Sequence, residues 1–445
     1  MINFLWGAAA GVACVVALIF FAFTLFRRGP LTFKLDQFYD HVVDGDIGPL
    51  IRDVQADVPH AESCALDDRM SCSIRDAVQC HNAAGRPDCN VLLLSGGGQW
   101  GAYGAGLFDT LSRNSGKELA LPGIGVITGI STGSLQTLML MVALDDKHTP
   151  QMRRFALDRL IWGYSPDKES DVVRHTKLAG VPLFGSAAGT DPLHKRIIEA
   201  LMPGGDDVLV KAIGNSSIEG FVGFVEAERG LFRYADIKQL VNTAPTPRAA
   251  AEALAAATMA SSAMPVFHQQ LRVAGSDGKP FALYDGGVRR SVFFDRAMAA
   301  VDQEVRKELE TRQASKGAAD TKDALATNYA RIAPVVYVVR NGPTARKTDK
   351  TFNSSSGPLK NGQRGYDLLV NESEIGAIAG LRLNNPYGKI LMTSADRYDT
   401  FSSDVGENFK KDEMFKPAFM ARLRDLGRHK AERMDGPWWP ISPLG

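Results

Sequence analysis

The sequence predicts an α/β fold, a three-layer α/β/α sandwich around a largely parallel central sheet, and three stretches carry that prediction. Val91–Leu94 is a continuous apolar run that passes through Gly96-Gly97-Gly98 into a helical pattern at Trp100, Tyr103, Leu107 and Leu111. Ile124–Ile130 is a second buried run, followed at once by apolar residues at helical spacing, Leu135, Leu138, Met139 and Val142. Strand, tight turn and helix, repeated in succession, build a parallel sheet. Phe281–Tyr284 is a short extended run ending at Asp285-Gly286-Gly287. Phe221–Val225, Val335–Arg340 and Ile390–Thr393 read as further strands. In such a sheet a site forms at the carboxyl ends of the strands, where glycine turns lead into helices.

In chain order, Phe4–Phe26 contains no charged residue and is long enough to cross a hydrocarbon core of about 30 Å as a helix. The expectation for residues 1–30 is a single membrane anchor. No Lys or Arg precedes the run, which argues against a cleaved signal peptide. The lipoprotein-like Gly11-Val12-Ala13-Cys14 is followed by too much apolar sequence to be a processing site. Residues 31–90 form a preceding segment with Cys64, Cys72, Cys80 and Cys89. These cysteines are even in number and lack zinc spacing, which favours disulfides in an oxidising space. Arg27 and Arg28 favour the opposite, cytoplasmic side. The balance places the soluble part on the periplasmic side of a bacterial cell membrane. Residues 91–345 are the expected catalytic domain, and 346–445 an extension packed on it. Within them, Asp145–Asp191 is a polar stretch suited to a substrate mouth, and Ala249–Met259 an alanine-rich core helix. Asp302–Arg331 reads as a solvated helix and Asn341–Tyr366 as a mobile surface loop. Pro437-Trp438-Trp439-Pro440 suits either a membrane interface or packing on its own domain.

Three motifs carry chemistry. Gly129-Ile130-Ser131-Thr132-Gly133 lies at a strand-to-helix turn, the context of a nucleophile elbow. There the two glycines remove side chains that would collide. The alternative, that Ser131 or Thr132 is only a helix N-cap, stays open at this point. Gly96-Gly97-Gly98-Gln99-Trp100-Gly101 presents backbone N–H groups at a helix start, a cradle for an anion. It lacks the lysine and spacing of a P-loop, and no acidic strand end follows at dinucleotide spacing. Asp285 stands at a strand end before two glycines and is able to approach another backbone closely, although Asp-Gly is also a common turn signal. Together the three point to a serine acyl hydrolase in which an aspartate replaces the usual histidine. A Ser-His-Asp esterase is the alternative enzyme, and its late histidine would have to be His268 or His429. A catalytically dead, membrane-anchored binding module is the non-enzyme alternative.

These residues resemble the patatin-like phospholipase family. The resemblance implies an oxyanion hole at Gly96, Gly97, Gly98 and Gly101, a nucleophile at Ser131 and a single partner at Asp285. Ala260-Ser261-Ser262-Ala263-Met264-Pro265 and the helix around Met414–Met420 are similar to further stretches of that family. It implies a lipid acyl ester as substrate, and since the histidines are scattered without metal-ligand spacing, no cofactor or metal is expected. Trp100 stands where members usually carry Arg or Lys, and Val288-Arg289-Arg290 where many carry other residues. Arg289 and Arg290 are therefore candidates for the missing positive field. A formal net charge of +1 and 45% hydrophobic residues point to neither nucleic acid nor a polyanion as partner.

Overall fold

The computed structural model describes residues 32–34, 42–44, 90–113, 123–175, 188–265, 268, 271–274, 280–293, 310, 333–344, 358–385, 388–401 and 415–442. Residues 4–26, the four clustered cysteines and most of Asp302–Arg331 lie outside them. No described helix is long and apolar enough to cross a membrane.

Two short strands, β1 (Thr32–Lys34) and β2 (Val42–Asp44), precede β3 (Asn90–Leu94). A 3-10 turn at Gly98–Trp100 opens α1 (Gly101–Arg113), and β4 (Ile124–Ile130) then runs into α2 (Thr132–Ala143). After α3 (Pro150–Gly163) come a small ribbon of β5 (Arg174–His175) and β6 (Ala188–Gly189), then α4 (Asp191–Leu201) and α5 (Val208–Asn215). The hairpin of β7 (Glu219–Glu226) and β8 (Leu231–Asp236) leads through α6 (Ile237–Asn242) and α7 (Pro247–Ser261) to β9 (Leu271–Ala274) and β10 (Pro280–Asp285). The C-terminal part holds β11 (Val336–Arg340), α8 (Pro358–Asn384), β12 (Ile390–Ser394), α9 (Pro417–Glu432) and β13 (Trp439–Pro440).

Eleven strands make one mixed sheet. Its middle, in the order β7-β4-β3-β11-β12, is parallel throughout. At its margins β8 and β10 on β7, β9 on β10 and β13 on β12 are antiparallel, while β1 on β9 is parallel. The strands β1 and β2 join this same sheet through β9 and β8. Strands buried on both faces explain the continuous apolar runs in the sequence. Leu92, Leu94, Ile127, Val222 and Val339 point to one face, which is covered by residues of α1 to α7 and α9. Val91, Leu93, Val126, Phe221 and Val338 point to the other, where Ile378 and Leu381 of α8 pack beside Val292 and Phe293.

The expected helix at Ala249–Met259 is α7. Its alanines are buried from Ala253 to Ala257, and it starts with Thr246 Oγ1 accepting Ala249 N–H at 3.1 Å, with Pro247 next, the usual chemistry of a helix start. One expectation is corrected. Pro358–Tyr366, given to a mobile loop on its Gly, Lys and Asn content, is the beginning of α8. Proline suits a first helical position and Lys, Gln and Arg are good helix formers, so the composition misled. The tryptophan tail packs on its own fold: β13 pairs with β12, and the Trp438 ring lies 4.9 Å from that of Tyr337.

Candidate active site

Ser131 separates β4 from α2 at φ 52° and ψ −119°, a backbone region that non-glycine residues rarely enter and that must be held by its surroundings. The holding is visible. Ser131 N–H donates to Ser261 Oγ at 2.7 Å, and Ser261 Oγ donates to Gly223 O at 2.5 Å. On the far side Ser134 N–H donates to Ser131 O at 2.9 Å. Gly129 and Gly133 flank the turn for steric reasons: a Cβ on Gly133 would sit 2.5 Å from Leu94 O, and one on Gly129 2.3 Å from Gly133 O. Ser261→Ala would strand a buried N–H and a buried carbonyl. Urea denaturation of that variant is expected to show a loss of about 1–3 kcal/mol, accompanied by a lower kcat.

The sheet register brings Asp285 to this serine. On β7, Gly223 pairs with Ile130 at the end of β4, and the next residue, Phe224, pairs with Asp285 at the end of β10. Because β8 occupies the opposite edge of β7 over the same residues, β4 and β10 share one edge and meet end to end. The Ser131 hydroxyl lies against the Asp285 carboxylate and favours its ionised form, and Asp285 Oδ1 accepts Gly287 N–H at 2.7 Å. Burial pushes the Asp285 pKa up to about 6, against the Gly287 N–H and the Ser131 hydroxyl, which lower it. No histidine bonds to Ser131 or Asp285 among the described residues. His268 is buried near Ser131, but its Nδ1 lies 2.9 Å from Ser262 O, and burial holds its pKa below the usual value. His429, on α9, lies with its ring tilted against that of Phe401 at 5.3 Å.

The glycine loop lies directly opposite: a Cβ on Gly96 would be 3.2 Å from Ser131 Cβ. Of the four glycines named from the sequence, Gly96 turns its N–H toward Ser291 O at 3.4 Å, and Gly101 N–H is used by the carbonyls of Gly98 and Gln99. Gly97 and Gly98, with φ of 144° and 56°, have amides that donate to no other group among the described residues. A buried network lies beneath the loop. Asn341 Nδ2 donates to Ser95 O at 2.8 Å and to Gln136 Oε1 at 3.0 Å, and Gln136 Nε2 donates to Gly101 O at 2.8 Å.

Trp100 points away from the site, into an aromatic cluster with Tyr398 at 4.6 Å and Phe419 at 5.2 Å, both edge-on. Its position in the loop is thus explained by packing. Arg289 bonds Gly230 O and Arg290 sits 5.6 Å over the Phe232 ring, and neither lines the cleft over Ser131. The positive field expected of them is not delivered there.

That cleft is partly open to solvent. Leu135, Leu193, Ile197, Met264, Phe415 and Met420 form its apolar wall. Gly163, Tyr164 and Val172, from the stretch expected at the substrate mouth, also line it. Tyr164 Oη donates to Thr132 O at 2.5 Å, which ties the mouth to the elbow. Among the described residues no group of three His, Cys, Asp or Glu side chains is placed to hold a metal.

Sequence reasoning gave no role to Ser261, Asn341, Gln136 or Tyr164. Asn341 follows a strand at its carboxyl end, where sites in such sheets gather, so a signal existed for it. Ser261 ends an alanine helix and only the fold brings it to Ser131.

Residues 92–298 match the family model of patatin-like phospholipases, a family of carboxylic ester hydrolases. The matched residues run from within β3 to beyond β10 and include Ser131, Asp285 and the glycine loop. No curated protein matches the chain. Among solved structures, the chain is similar to VipD from Legionella pneumophila at 12% identity, covering 81% of this chain and 70% of that one, with a TM-score of 0.30.

Proposed function

We propose that the chain is a serine lipid acyl hydrolase working through a Ser131–Asp285 dyad and an acyl-enzyme. The observation that carries this is the placement of the Ser131 hydroxyl against a buried aspartate with a raised pKa, beside two unengaged glycine amides. Asp285 accepts the Ser131 proton as Oγ attacks the ester carbonyl. The N–H groups of Gly97 and Gly98 receive the negative charge on the carbonyl oxygen. The proton passes to the leaving alcohol, and water, deprotonated at the same carboxylate, then releases the acyl group from Ser131. A free carboxylate with a pKa near 4 is a poor base at neutral pH. A value near 6 brings Asp285 closer to the operating pH while leaving it ionised at pH 7.

In the same reading the lipid lies in a bilayer to which residues 4–26 hold the chain, with the catalytic part on the periplasmic side. The uncharged apolar run and the cysteine count support it. A Ser-His-Asp arrangement is disfavoured because Nδ1 of His268 bonds a backbone carbonyl and not a carboxylate, and no histidine bonds Ser131 or Asp285 among the described residues. The test is labelling of the full chain with a fluorophosphonate probe next to Ser131→Ala, with a short-chain ester assay on the same samples. Wild-type labelling and turnover that both vanish in Ser131→Ala are the expected result. A folded wild-type chain that neither labels nor turns over ester would instead establish the binding-module alternative.

A further inference from the structure

The cleft wall is apolar except for a few hydroxyls, one imidazole, one amide and a single arginine, Arg196 of α4. This arginine is built in. Its Nε donates to Gly163 O at 3.0 Å, one Nη donates to Trp162 O at 2.5 Å, and its guanidinium stacks 4.3 Å from the Trp162 ring centroid. Its other Nη donates to no group among the described residues. Gly163 precedes Tyr164, whose hydroxyl bonds the residue after Ser131, so a short chain of contacts fixes Arg196 relative to the nucleophile. Arg159 stacks on the same indole, also at 4.3 Å. Burial weighs against the Arg196 charge, the carboxylates of Asp171 and Asp167 offset part of that cost, and the Arg159 guanidinium on the same ring adds to it, the balance leaving the Arg196 pKa below its ordinary value. An anion in the cleft would offset the remainder.

Resting on the serine-hydrolase reading, we propose that Arg196 is a specificity-determining residue. It selects acyl esters whose leaving alcohol carries an anionic group, a phosphomonoester or phosphodiester. The apolar wall takes the acyl chain, Ser131 takes the carbonyl, and the free Nη of Arg196 takes an oxygen of the anion. Backbone carbonyls satisfy two of its nitrogens and aim the third, so little ordering is needed on binding. Trp100 is turned into the core, which leaves Arg196 as the cation of the described cleft.

The test compares 1-octanoylglycerol 3-phosphate with 1-octanoylglycerol, both below their micelle-forming concentrations and in one non-ionic detergent, using the full chain. Neither substrate then presents a charged interface. Wild type is expected to favour the phosphate by kcat/KM. R196Q is expected to reduce that preference by about 10- to 100-fold, chiefly through KM, the usual size for loss of a charge-assisted contact. R196K, which keeps the charge but not the fork held by the two carbonyls, is expected to fall between wild type and R196Q. Inorganic phosphate is expected to inhibit the phosphorylated substrate competitively. Its speeding hydrolysis of 1-octanoylglycerol would mean a site for a free anion and overturn the headgroup assignment. An equal preference in folded R196Q and wild type overturns the proposal. If R196Q does not fold, the wild-type pair and R196K decide, and absence of preference in wild type, or a preference in R196K equal to that of wild type, overturns it. No turnover of either substrate by wild type would remove the hydrolase reading and this one with it. Turnover of both with equal efficiency would remove only the role of Arg196.

Discussion

Asp285→Asn is expected to lower ester hydrolysis by about 10⁴-fold, the scale for losing the aspartate of a serine hydrolase site, and to raise the melting temperature. The second effect follows from the first residue's environment. The folded chain holds the Asp285 proton to about pH 6, whereas the ordinary value is 3.8. Between those values the folded state binds more protons than the unfolded one, so stability falls as pH rises through that window and stays reduced above it. At pH 7 the buried carboxylate costs on the order of 3 kcal/mol. Asparagine keeps an oxygen for Gly287 N–H and carries no charge, so a gain of a few degrees is expected by scanning calorimetry. Activity of the wild type should fall on the acid side with an apparent pKa of about 6. A variant that loses both activity and stability would mean that Asp285 holds the turn and does not act as a base.

Gly97→Ala is expected to be the most damaging change of a single methyl group. The residue sits at φ 144°, and an added Cβ would lie 1.9 Å from Asn341 O. Relief requires the loop to move off Asn341, and with it the amides of Gly97 and Gly98. Loss of one such donor commonly costs about 10²–10³ in kcat, with KM for a short ester little altered. Fluorophosphonate labelling rates of Gly97→Ala and wild type, measured side by side, check this. Labelling at the wild-type rate would exclude this loop as the place where negative charge is received.

Much of this was legible in the sequence because local pattern and local structure agree. The runs at Val91 and Ile124 are buried on both faces and the glycine turns follow them directly, so strand, turn and helix could be placed together. Ser131 was legible because its constraint is local: an elbow needs small neighbours on both sides. Asp285 was readable only in company, since nothing in Asp-Gly-Gly distinguishes a catalytic carboxylate from a turn. Its partner is set by β7, a strand that carries neither residue. Ser261 and Asn341 were given no role because their partners are remote in sequence, Gly223 for the one and Ser95 for the other. The helix at Pro358–Asn384 was missed since its glycines and polar residues imitate a loop and only a few positions, such as Ile378 and Leu381, face the core. Trp100 looked like a lost charge in the loop, yet its side chain belongs to the aromatic cluster under α9.

The end-to-end meeting of β4 and β10 along β7 gives the chemistry a parity. One residue added within β10 would turn its carboxylate to the opposite face of the sheet. Two would restore the face but carry it roughly 7 Å along the strand, beyond hydrogen-bonding reach of the serine. Length changes in the connections outside the paired strands carry no such penalty, since they leave the pairing intact. The cleft walls are therefore free to diverge in length while the distance between acid and nucleophile is counted in whole residues.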